Sequence, residues 1–270
     1  MCFETKKFNA VQWLEFKALQ KFSNLKHFTT TKLNGVSFYP NSFLNMGFVQ
    51  IDNPQNVVLN RNLFSISAQF PIDSFVFANQ THSDNILVVT QEHKGRGVNK
   101  EETEIQDVDA FIVGKKGICP VVQSADCVPI IVYEPLKHIG AVVHSGWRGT
   151  SKRILEKTIV QMVLMDANPS NMIVCIGPSA GVCCYEVKND VLQSFIENFN
   201  SKAWDFFRIE NKKMYLDLWK ANCFLAKETG VLEQNIFVSG LCTIHNCDKF
   251  FSARAHKKNA GRMATGIMLL

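Results

Sequence analysis

The sequence predicts a globular fold that mixes α-helices with β-strands. Short apolar runs rich in Val and Ile recur along the chain, and longer segments with helical spacing of apolar residues lie between them. No internal repeat, low-complexity tract or linker divides the chain. With 270 residues, 46% of them hydrophobic and 20% charged, the chain can bury a large core without disulfides. We therefore expect one folded unit over residues 1–270.

Each predicted element follows from its local pattern. Helical spacing is found at 11–22, after Asn53-Pro54, from Thr150 or Ser151 to about Met165, at 191–199 and at 216–229. In the third of these helices the expected buried face is Ile154, Leu155, Ile159, Met162 and Val163. The apolar runs that predict strands are 74–78, 86–89, 110–113, 118–122, 129–133, 139–143, 172–176 and 235–239. Residues 41–47 and 92–108 lack both patterns and are predicted loops; a loop as long as the second is usually a functional lid or a mobile surface segment.

The strongest local signal is the pair of apolar runs within 129–143, which are separated by a Glu-Pro-Leu-Lys turn and predict a β-hairpin. Pairing about Leu136 sets Cys127 roughly opposite His144 or Ser145, and residues that face each other there have Cβ atoms about 5 Å apart. A thiol and an imidazole at that spacing can share one metal ion, or act as nucleophile and base.

Two further features surround this pair. After His144 the chain turns through Gly146 and Arg148 into a helical pattern, and the free N–H groups of a helix N-terminus favour an anion. His82 interrupts two predicted strands, so it lies at a strand end, as do Cys127 and His144; it is either a third member of the site or a structural histidine. The pattern predicts a soft-ligand site beside an anion site.

Three aspartates have two interpretations each. Asp107 and Asp109 close the 92–108 loop, where paired carboxylates either take part in acid–base chemistry or accept hydrogen bonds from the loop backbone. Asp126 precedes Cys127 and could orient a metal ligand by contacting that ligand without binding the metal itself.

A rival zinc site is offered by Cys242, His245 and Cys247, three ligands within six residues. The spacing matches no common zinc finger, and a fourth ligand is not evident. The adjacent pair Cys183-Cys184 indicates a metal only weakly, because neighbouring residues on a strand point to opposite faces.

Composition excludes several classes of protein. The formal net charge of +5 is spread without a basic block, so no nucleic-acid partner is expected. The N-terminus lacks an apolar signal region and no run of eighteen apolar residues occurs, so neither export nor membrane insertion is expected. The nine cysteines are scattered and mostly lie in apolar runs, as reduced thiols of a cytoplasmic protein would. The oligomeric state is not predicted.

Six blocks of the sequence, taken together, resemble the YfiH-like family, also called the laccase-domain or polyphenol oxidoreductase family. The blocks are NQTHSDNI at 79–86, DVDAFI at 107–112, SADCVPI at 124–130, AVVHSGWRGT at 141–150, GPSAGVCCYEV at 177–187 and FFSARAHKKNAGR at 250–262. The resemblance implies a single α+β domain with mixed β-sheet layers flanked by helices, an αββα-like sandwich.

The resemblance also implies a metal site and an activity. The family's metal, most often zinc and less often copper, falls on His82, Cys127 and His144. Three protein ligands leave a fourth tetrahedral position open, which is the catalytic arrangement. Members of the family are described as purine nucleoside enzymes that phosphorolyse adenosine, inosine and methylthioadenosine and deaminate adenosine. Purine nucleosides and phosphate are therefore the expected substrates.

Seven residues are predicted to contact substrate or phosphate: Asn45, Arg61, Gln80, Arg148, Tyr185, Glu186 and Arg262. Arginines suit phosphate, although the position of Arg61 on a helix favours a solvated surface charge. Glu186 or one of the aspartates at 107 and 109 would be the acid. The family's tail usually carries adjacent arginines, whereas here Ala255 follows Arg254, so Arg262 is the safer assignment.

Other functions stay open. Cys127 could be the nucleophile of a metal-free cysteine hydrolase, with His144 or His82 as base, acting on a peptidoglycan precursor. A non-catalytic protein could use zinc only for folding. A true multicopper laccase is not expected, because the chain has too few clustered histidines for several copper ions.

Overall fold

Two six-stranded β-sheets pack face to face, and helices cover their outer surfaces. The computed structural model describes residues 2–38 and 43–270. The strands are β1 Phe3–Phe8, β2 Val11–Phe16, β3 Leu25–Thr30, β4 Phe75–Val76, β5 Ala78–Asn79, β6 Ile86–Val89, β7 Ile105–Gln106, β8 Ala110–Val113, β9 Cys119–Ser124, β10 Val128–Glu134, β11 Ile139–Ser145, β12 Ile173–Ile176, β13 Glu186–Val187, β14 Phe207–Glu210, β15 Lys213–Leu216, β16 Ile236–Val238 and β17 Met263–Leu269. The α-helices are α1 Pro54–Ala68, α2 Trp147–Ser151, α3 Ile154–Val163, α4 Asn189–Phe199, α5 Leu218–Glu228 and α6 Ala253–His256.

Both large sheets are mixed. The first has the strand order β1-β2-β3-β17-β9-β4, and the second has the order β16-β12-β10-β11-β8-β6. Most neighbours are antiparallel, but β4 with β9, β12 with β16, and β6 with β8 are parallel. Smaller sheets are formed by β13-β15-β14 and by β5-β7.

Alternation along β10 shows how the layers are stacked. Ile130 and Val132 face outward into the cluster that includes Ile159 of α3, whereas Ile131 and Tyr133 face inward against the first sheet. Because both faces of β10 are covered, its sequence is an unbroken apolar run. On the far side, α1 packs Phe64 against the outer face of the first sheet. The predicted α+β class with helix-flanked, mixed β-sheet layers is confirmed.

The central hairpin is confirmed, but its register differs by one residue from the prediction. Val128 pairs with Ser145 and Glu134 with Ile139, so the loop has four residues and its centre falls between Leu136 and Lys137. Cys127 therefore lies just beyond the last pair and not opposite His144 or Ser145.

Two helix predictions were wrong. Residues 11–22 begin as strand β2, since Val11, Trp13, Leu14 and Phe16 pair with β1 and β3 and their side chains are buried in the sheet layers. The helix expected from 150 to 165 is two helices, interrupted at Arg153 with φ +64°.

The N-cap and the buried face of the helical segment 150–165 also differ from the prediction. Neither Thr150 nor Ser151 caps a helix; both are buried inside α2, where their hydroxyls bond Ser145 and Ser194. Ile154, Leu155, Ile159 and Met162 of the expected face are buried, whereas Val163 is exposed.

The remaining predicted elements are confirmed in type and lie within a few residues of their expected bounds. The predicted loop at 41–47 extends beyond the described residues at 41 and 42, and its remainder has no regular structure beyond a single bridge at Phe43. The 92–108 segment is mostly irregular but contains β7. Strands β1, β3, β13, β14, β15 and β17 and helix α6 were not predicted. Among the described residues, no helix combines the length and apolar character needed to cross a bilayer.

Candidate metal centre

Three chain segments meet at one place in the fold and bring His82, Cys127 and His144 together. His82 lies between β5 and β6, Cys127 directly precedes β10, and His144 is the penultimate residue of β11. Their candidate ligand atoms all lie within 4.8 Å of one another. The two imidazole rings have centroids 5.0 Å apart and meet edge to face. Residues separated by up to 62 positions in sequence thus form one three-ligand cluster.

The buried carboxylate of Asp109 holds both histidines. Its Oδ1 lies 2.7 Å from His144 Nδ1, which leaves Nε2 of that ring to face the cluster. The same carboxylate accepts the backbone N–H groups of Thr81, His82 and Ser83, at 2.8 to 3.2 Å, and the Ser83 hydroxyl at 2.9 Å. Of the two interpretations of Asp109, hydrogen bonding to the loop backbone is therefore the one observed.

These bonds explain an unfavourable backbone conformation. His82 has φ +62°, in the left-handed region that residues other than glycine adopt rarely. The three N–H groups that converge on Asp109 stabilise the turn in this form. Asp107, by contrast, is exposed and accepts hydrogen bonds from Thr81 and Asn85 at the rim of the turn.

Gly146 leaves room for the cluster. A Cβ atom at this position would lie 2.8 Å from Cys127 Sγ and 3.1 Å from His82 Cδ2, closer than real Cβ atoms pack. One sulfur and two imidazole nitrogens form a ligand set that suits zinc, and an oriented carboxylate behind a histidine is the usual support of such a site. The residues present therefore fit a metal ion.

The metal-free centre is a charged pair. Burial raises the pKa of the Cys127 thiol, but the neighbouring His144 and His82 outweigh it and lower that pKa to about 6. Burial lowers the pKa of His144, but the negative charges of Cys127 and Asp109 prevail and raise it to about 9. At neutral pH Cys127 is thus a thiolate, ready to bind a cation, and His144 must release a proton when a metal binds.

A cavity of about 520 Å³ opens over the cluster. Of the predicted substrate residues, Gln80, Arg148, Tyr185 and Arg262 line it together with the three ligands. The amide of Gln80 is already engaged, since it donates to the Gln123 carbonyl and accepts from the Gln123 N–H. Gln80 therefore also holds the cavity wall in place.

Sequence reasoning missed several residues of this cavity. Phe48 and Trp147 add aromatic surface, Glu104 adds a buried carboxyl group, and Arg254 adds a third arginine. The guanidinium of Arg254 lies 5.0 Å from the centre of the Tyr185 ring, and that of Arg148 lies 4.3 Å from the Trp147 ring. Arg254 lies in the block 250–262, which is part of the family resemblance. Because Ala255 stands where the family usually has a second arginine, Arg262 was predicted as the phosphate contact instead.

Three predicted substrate residues do not line this cavity. Arg61 is fully buried and is neither a solvated charge nor part of the wall; it donates to the carbonyls of Met46, Gly97 and Val98. Asn45 is buried, and its Oδ1 accepts the backbone N–H of Arg262, so it positions that arginine.

Glu186 is the third of these residues. It is exposed, pairs with Lys213 at 3.0 Å, and borders a smaller neighbouring cavity beside Arg148, Tyr185 and Arg254. Glu186 does not line the cavity over the ligand cluster, which argues against a role as the acid.

Asp126 links the centre to the C-terminal part of the chain. Its Oδ1 accepts from the Thr243 hydroxyl at 2.6 Å, and its Oδ2 accepts from the backbone N–H of Arg254 at 2.8 Å. Asp126 thus joins the segment that carries Cys127 to two segments far along the chain. The sequence predicted that its carboxylate could orient a metal ligand, but the carboxylate instead binds the backbone of Arg254.

Known proteins resemble this chain over most of its length. The family model described as multi-copper polyphenol oxidoreductase laccase matches residues 26–270. The chain is 30% identical to a purine nucleoside phosphorylase of Bacteroides thetaiotaomicron, over 95% of this chain and 96% of that protein. It is 31% identical to a protein named adenosine deaminase RL5 from an unknown prokaryotic organism, over 80% and 83% of the two chains. The crystal structure of YlmD from Geobacillus stearothermophilus superposes with a TM-score of 0.92 at 31% identity and covers 99% of this chain and 98% of that one.

Replacing Asp109 with Asn tests the support of the histidines. The amide cannot accept all five hydrogen bonds, so the His144 ring loses its oriented partner and the turn that carries His82 loses its support, and we expect zinc affinity to fall about 10- to 100-fold. Competition with a chromogenic chelator measures this change. Asp107→Asn, an exposed carboxylate two residues away, is the matched control and should bind zinc as the wild type does. Equal affinity of the Asp109 and Asp107 variants would contradict this role.

The charge state of Cys127 gives a pH-dependent prediction. In metal-free protein the lowered pKa keeps the thiolate populated above pH about 6, so iodoacetamide should alkylate Cys127 readily at pH 7 and lose this reactivity below pH 6. His144→Asn removes the positive partner and should move the midpoint upward. Mass spectrometry of the Cys127 peptide gives the rate, and Cys223, whose pKa burial raises to about 11, is an internal reference. A Cys127 midpoint near 9 would refute the ion pair.

Proposed function

Since this chain belongs to the multi-copper polyphenol oxidoreductase laccase family, we propose that it is a zinc-dependent purine nucleoside enzyme. It would phosphorolyse adenosine, inosine and methylthioadenosine and deaminate adenosine. The observation that carries the proposal is the convergence of His82, Cys127 and His144 at a cavity that is also lined by arginines and aromatic rings. Relatives named purine nucleoside phosphorylase and adenosine deaminase support both reactions.

The ligand set favours one zinc ion over several copper ions. A multicopper oxidase needs many clustered histidines, whereas in the described part of the chain only His82 and His144 join a cysteine at this cavity. Zinc held by two imidazoles and one thiolate would supply a hydroxide nucleophile at neutral pH, because it lowers the pKa of a bound water to about 7.

The cavity walls suit a purine nucleoside. Phe48, Trp147 and Tyr185 provide flat apolar surfaces against which a purine ring can stack. The volume of about 520 Å³ is within the range of small-ligand sites. The base would then lie near the ligand cluster, with the ring carbon that bears its exocyclic amino group exposed to attack during deamination and the amino group leaving as ammonia.

Glu104 is the carboxyl group best suited to donate a proton. It lines the cavity and is buried, and burial raises its pKa to about 7 even though the positive charge of Arg61 acts in the opposite direction. A carboxyl group that stays protonated near neutral pH can donate a proton to departing ammonia or to a departing base. Asp109 is less suited because its oxygens already accept five hydrogen bonds.

The arginines supply the phosphate site. Arg148, Arg254 and Arg262 line the same cavity, and guanidinium groups bind phosphate oxygens in pairs. In phosphorolysis one phosphate oxygen forms a bond to the ribose carbon as the bond from that carbon to the base breaks. Arginines that neutralise phosphate and hold it in line would favour this exchange.

A metal-free cysteine hydrolase is the second candidate, and one observation favours it. The Cys127 thiolate beside a protonated His144 has the charge state of an activated nucleophile and its acid–base partner. The two candidates differ in their need for a metal.

Removal of zinc separates these functions. Wild-type protein treated with a chelator should lose nucleoside turnover and regain it when zinc is returned, as judged by chromatography of products from a nucleoside panel with and without phosphate. Cys127→Ala should also be inactive. Full nucleoside cleavage by metal-free protein would refute the zinc enzyme, and hydrolysis of a peptide substrate by that protein would favour the cysteine hydrolase.

Glu104→Gln tests the acid. Because the protonated form is the active one and its pKa is raised to about 7, wild-type kcat for deamination should fall as pH rises through 7. The glutamine side chain has no such proton, so we expect kcat to drop about 10²- to 10⁴-fold and this alkaline decrease to vanish. Glu102→Gln, which removes a neighbouring exposed carboxyl outside the cavity lining, is the control. An unchanged rate and pH profile in Glu104→Gln would exclude it as the acid.

A further inference from the structure

We infer that Cys183, Cys184, Cys242 and His245 form a second zinc site, which is structural. The candidate ligand atoms of these four residues all lie within 4.8 Å of one another. None of the four lines the large cavity over the first centre. The inference is independent of the proposed nucleoside activity.

The distances fit a tetrahedral ion. Zinc–sulfur bonds of about 2.3 Å and zinc–nitrogen bonds of about 2.0 Å place neighbouring ligand atoms about 3.5 to 3.8 Å apart in a tetrahedron. Cys183 Sγ lies 3.5 Å from His245 Nδ1, already at the expected sulfur–nitrogen separation. The widest pair, at no more than 4.8 Å, would close by about 1 Å through side-chain rotation.

The local backbone explains why two adjacent cysteines can serve one ion. Residues 182–184 form a turn, in which the N–H groups of Cys184 and Tyr185 both donate to the Gly181 carbonyl at 3.0 Å. The alternation of side chains along a strand, which argued against this pair in the sequence, therefore does not apply.

The other two ligands come from a second loop that is bonded to the first. Ser179 and Cys242 form a parallel bridge: Ser179 N donates to Leu241 O at 3.1 Å, and Thr243 N donates to Ser179 O at 3.0 Å. Gly181 N–H points at Cys242 Sγ at 3.4 Å, the kind of hydrogen bond that supports a zinc thiolate. A two-residue gap then brings His245 back to the same point.

Four protein ligands indicate a structural role, because they complete the tetrahedron and leave no position for substrate. The first centre, with three ligands, has an open position. Cys247, the third residue of the rival site considered from the sequence, is not in the cluster. Cys183 and Cys184, which indicated a metal only weakly in the sequence, supply the remaining ligands.

The position of the site suggests what it stabilises. One loop leads directly into Tyr185, which lines the large cavity, and the other carries Thr243, whose hydroxyl bonds Asp126 beside Cys127. An ion shared by both loops would hold one wall of the cavity against the segment that carries a ligand of the first centre.

Metal stoichiometry tests the inference. Full-length protein purified under reducing conditions should contain two zinc ions per chain by elemental analysis. Cys127→Ala and Cys242→Ser should each retain one ion, and the double variant should retain none. Cys247→Ser, a neighbouring thiol outside the cluster, should retain two. A zinc content that is the same in Cys242→Ser as in the wild type, or a Cys127→Ala protein without zinc, would overturn the inference.

Two further measurements keep the test decisive if Cys242→Ser does not fold. His245 is exposed, so His245→Ala should fold and lose the second ion alone. Cobalt added to metal-depleted Cys127→Ala protein should give intense sulfur-to-cobalt charge-transfer absorption and the strong visible bands of a tetrahedral site, and His245→Ala in that background should abolish them. A disulfide between Cys242 and Cys183 or Cys184 in protein purified under reducing conditions would refute the site.

Discussion

The carboxylate of Asp109 is the interaction on which the candidate metal centre depends. Asp109 lies at the start of β8, between β6 and β11 in the second sheet. It can therefore reach forward to the His144 ring and back to the turn that carries His82. Its own carbonyl accepts the His144 N–H at 2.8 Å, so backbone and side chain hold the same partner. One buried anion thus sets the position of two of the three ligands.

Burying a carboxylate such as that of Asp109 costs free energy unless its oxygen lone pairs accept hydrogen bonds. Five donors meet the Asp109 oxygens, and although burial raises its pKa, the hydrogen bond and positive charge of His144 outweigh this and hold the pKa below its usual value. The carboxylate therefore stays charged, fixes the His144 tautomer and supports the strained turn at His82. Gly146 completes the arrangement by leaving space beside Cys127 that any side chain would fill. Preorganised ligands of this kind lose little conformational freedom when a metal binds.

The layered core places distant residues around this point. Central strands buried on both faces leave β9, β10 and β11 little freedom to shift, so their ends present Ser124, Cys127 and His144 to the same cavity. The C-terminal segment returns past Asp126 and Asn45, which hold the backbones of Arg254 and Arg262 at the cavity wall. The second cluster, built on loops bridged by Ser179 and Cys242, would support the part of the wall that Tyr185 forms. Two metal sites of different ligand number would thus share one scaffold.

The central hairpin, the type of most helices and strands, and the grouping of His82, Cys127 and His144 could be predicted from the sequence, because they depend on local periodicity or on motif blocks. Which of the remaining residues meet became clear only from the folded chain. Arg61 lies on a predicted helix, but its side chain is buried and its guanidinium lies 3.8 Å from the Glu104 carboxyl group. Glu104, and not Arg61, lines the cavity. Cys183 and His245 are 62 residues apart and come together through a loop bridge that no local pattern encodes. Residues 11–16 pair as β2 with β1 and β3, and β3 in turn pairs with β17 at the other end of the chain, so sheet pairing overrides the weak helical spacing of residues 11–22. Contacts between distant segments depend on how the layers pack, and that is settled only when the whole chain folds.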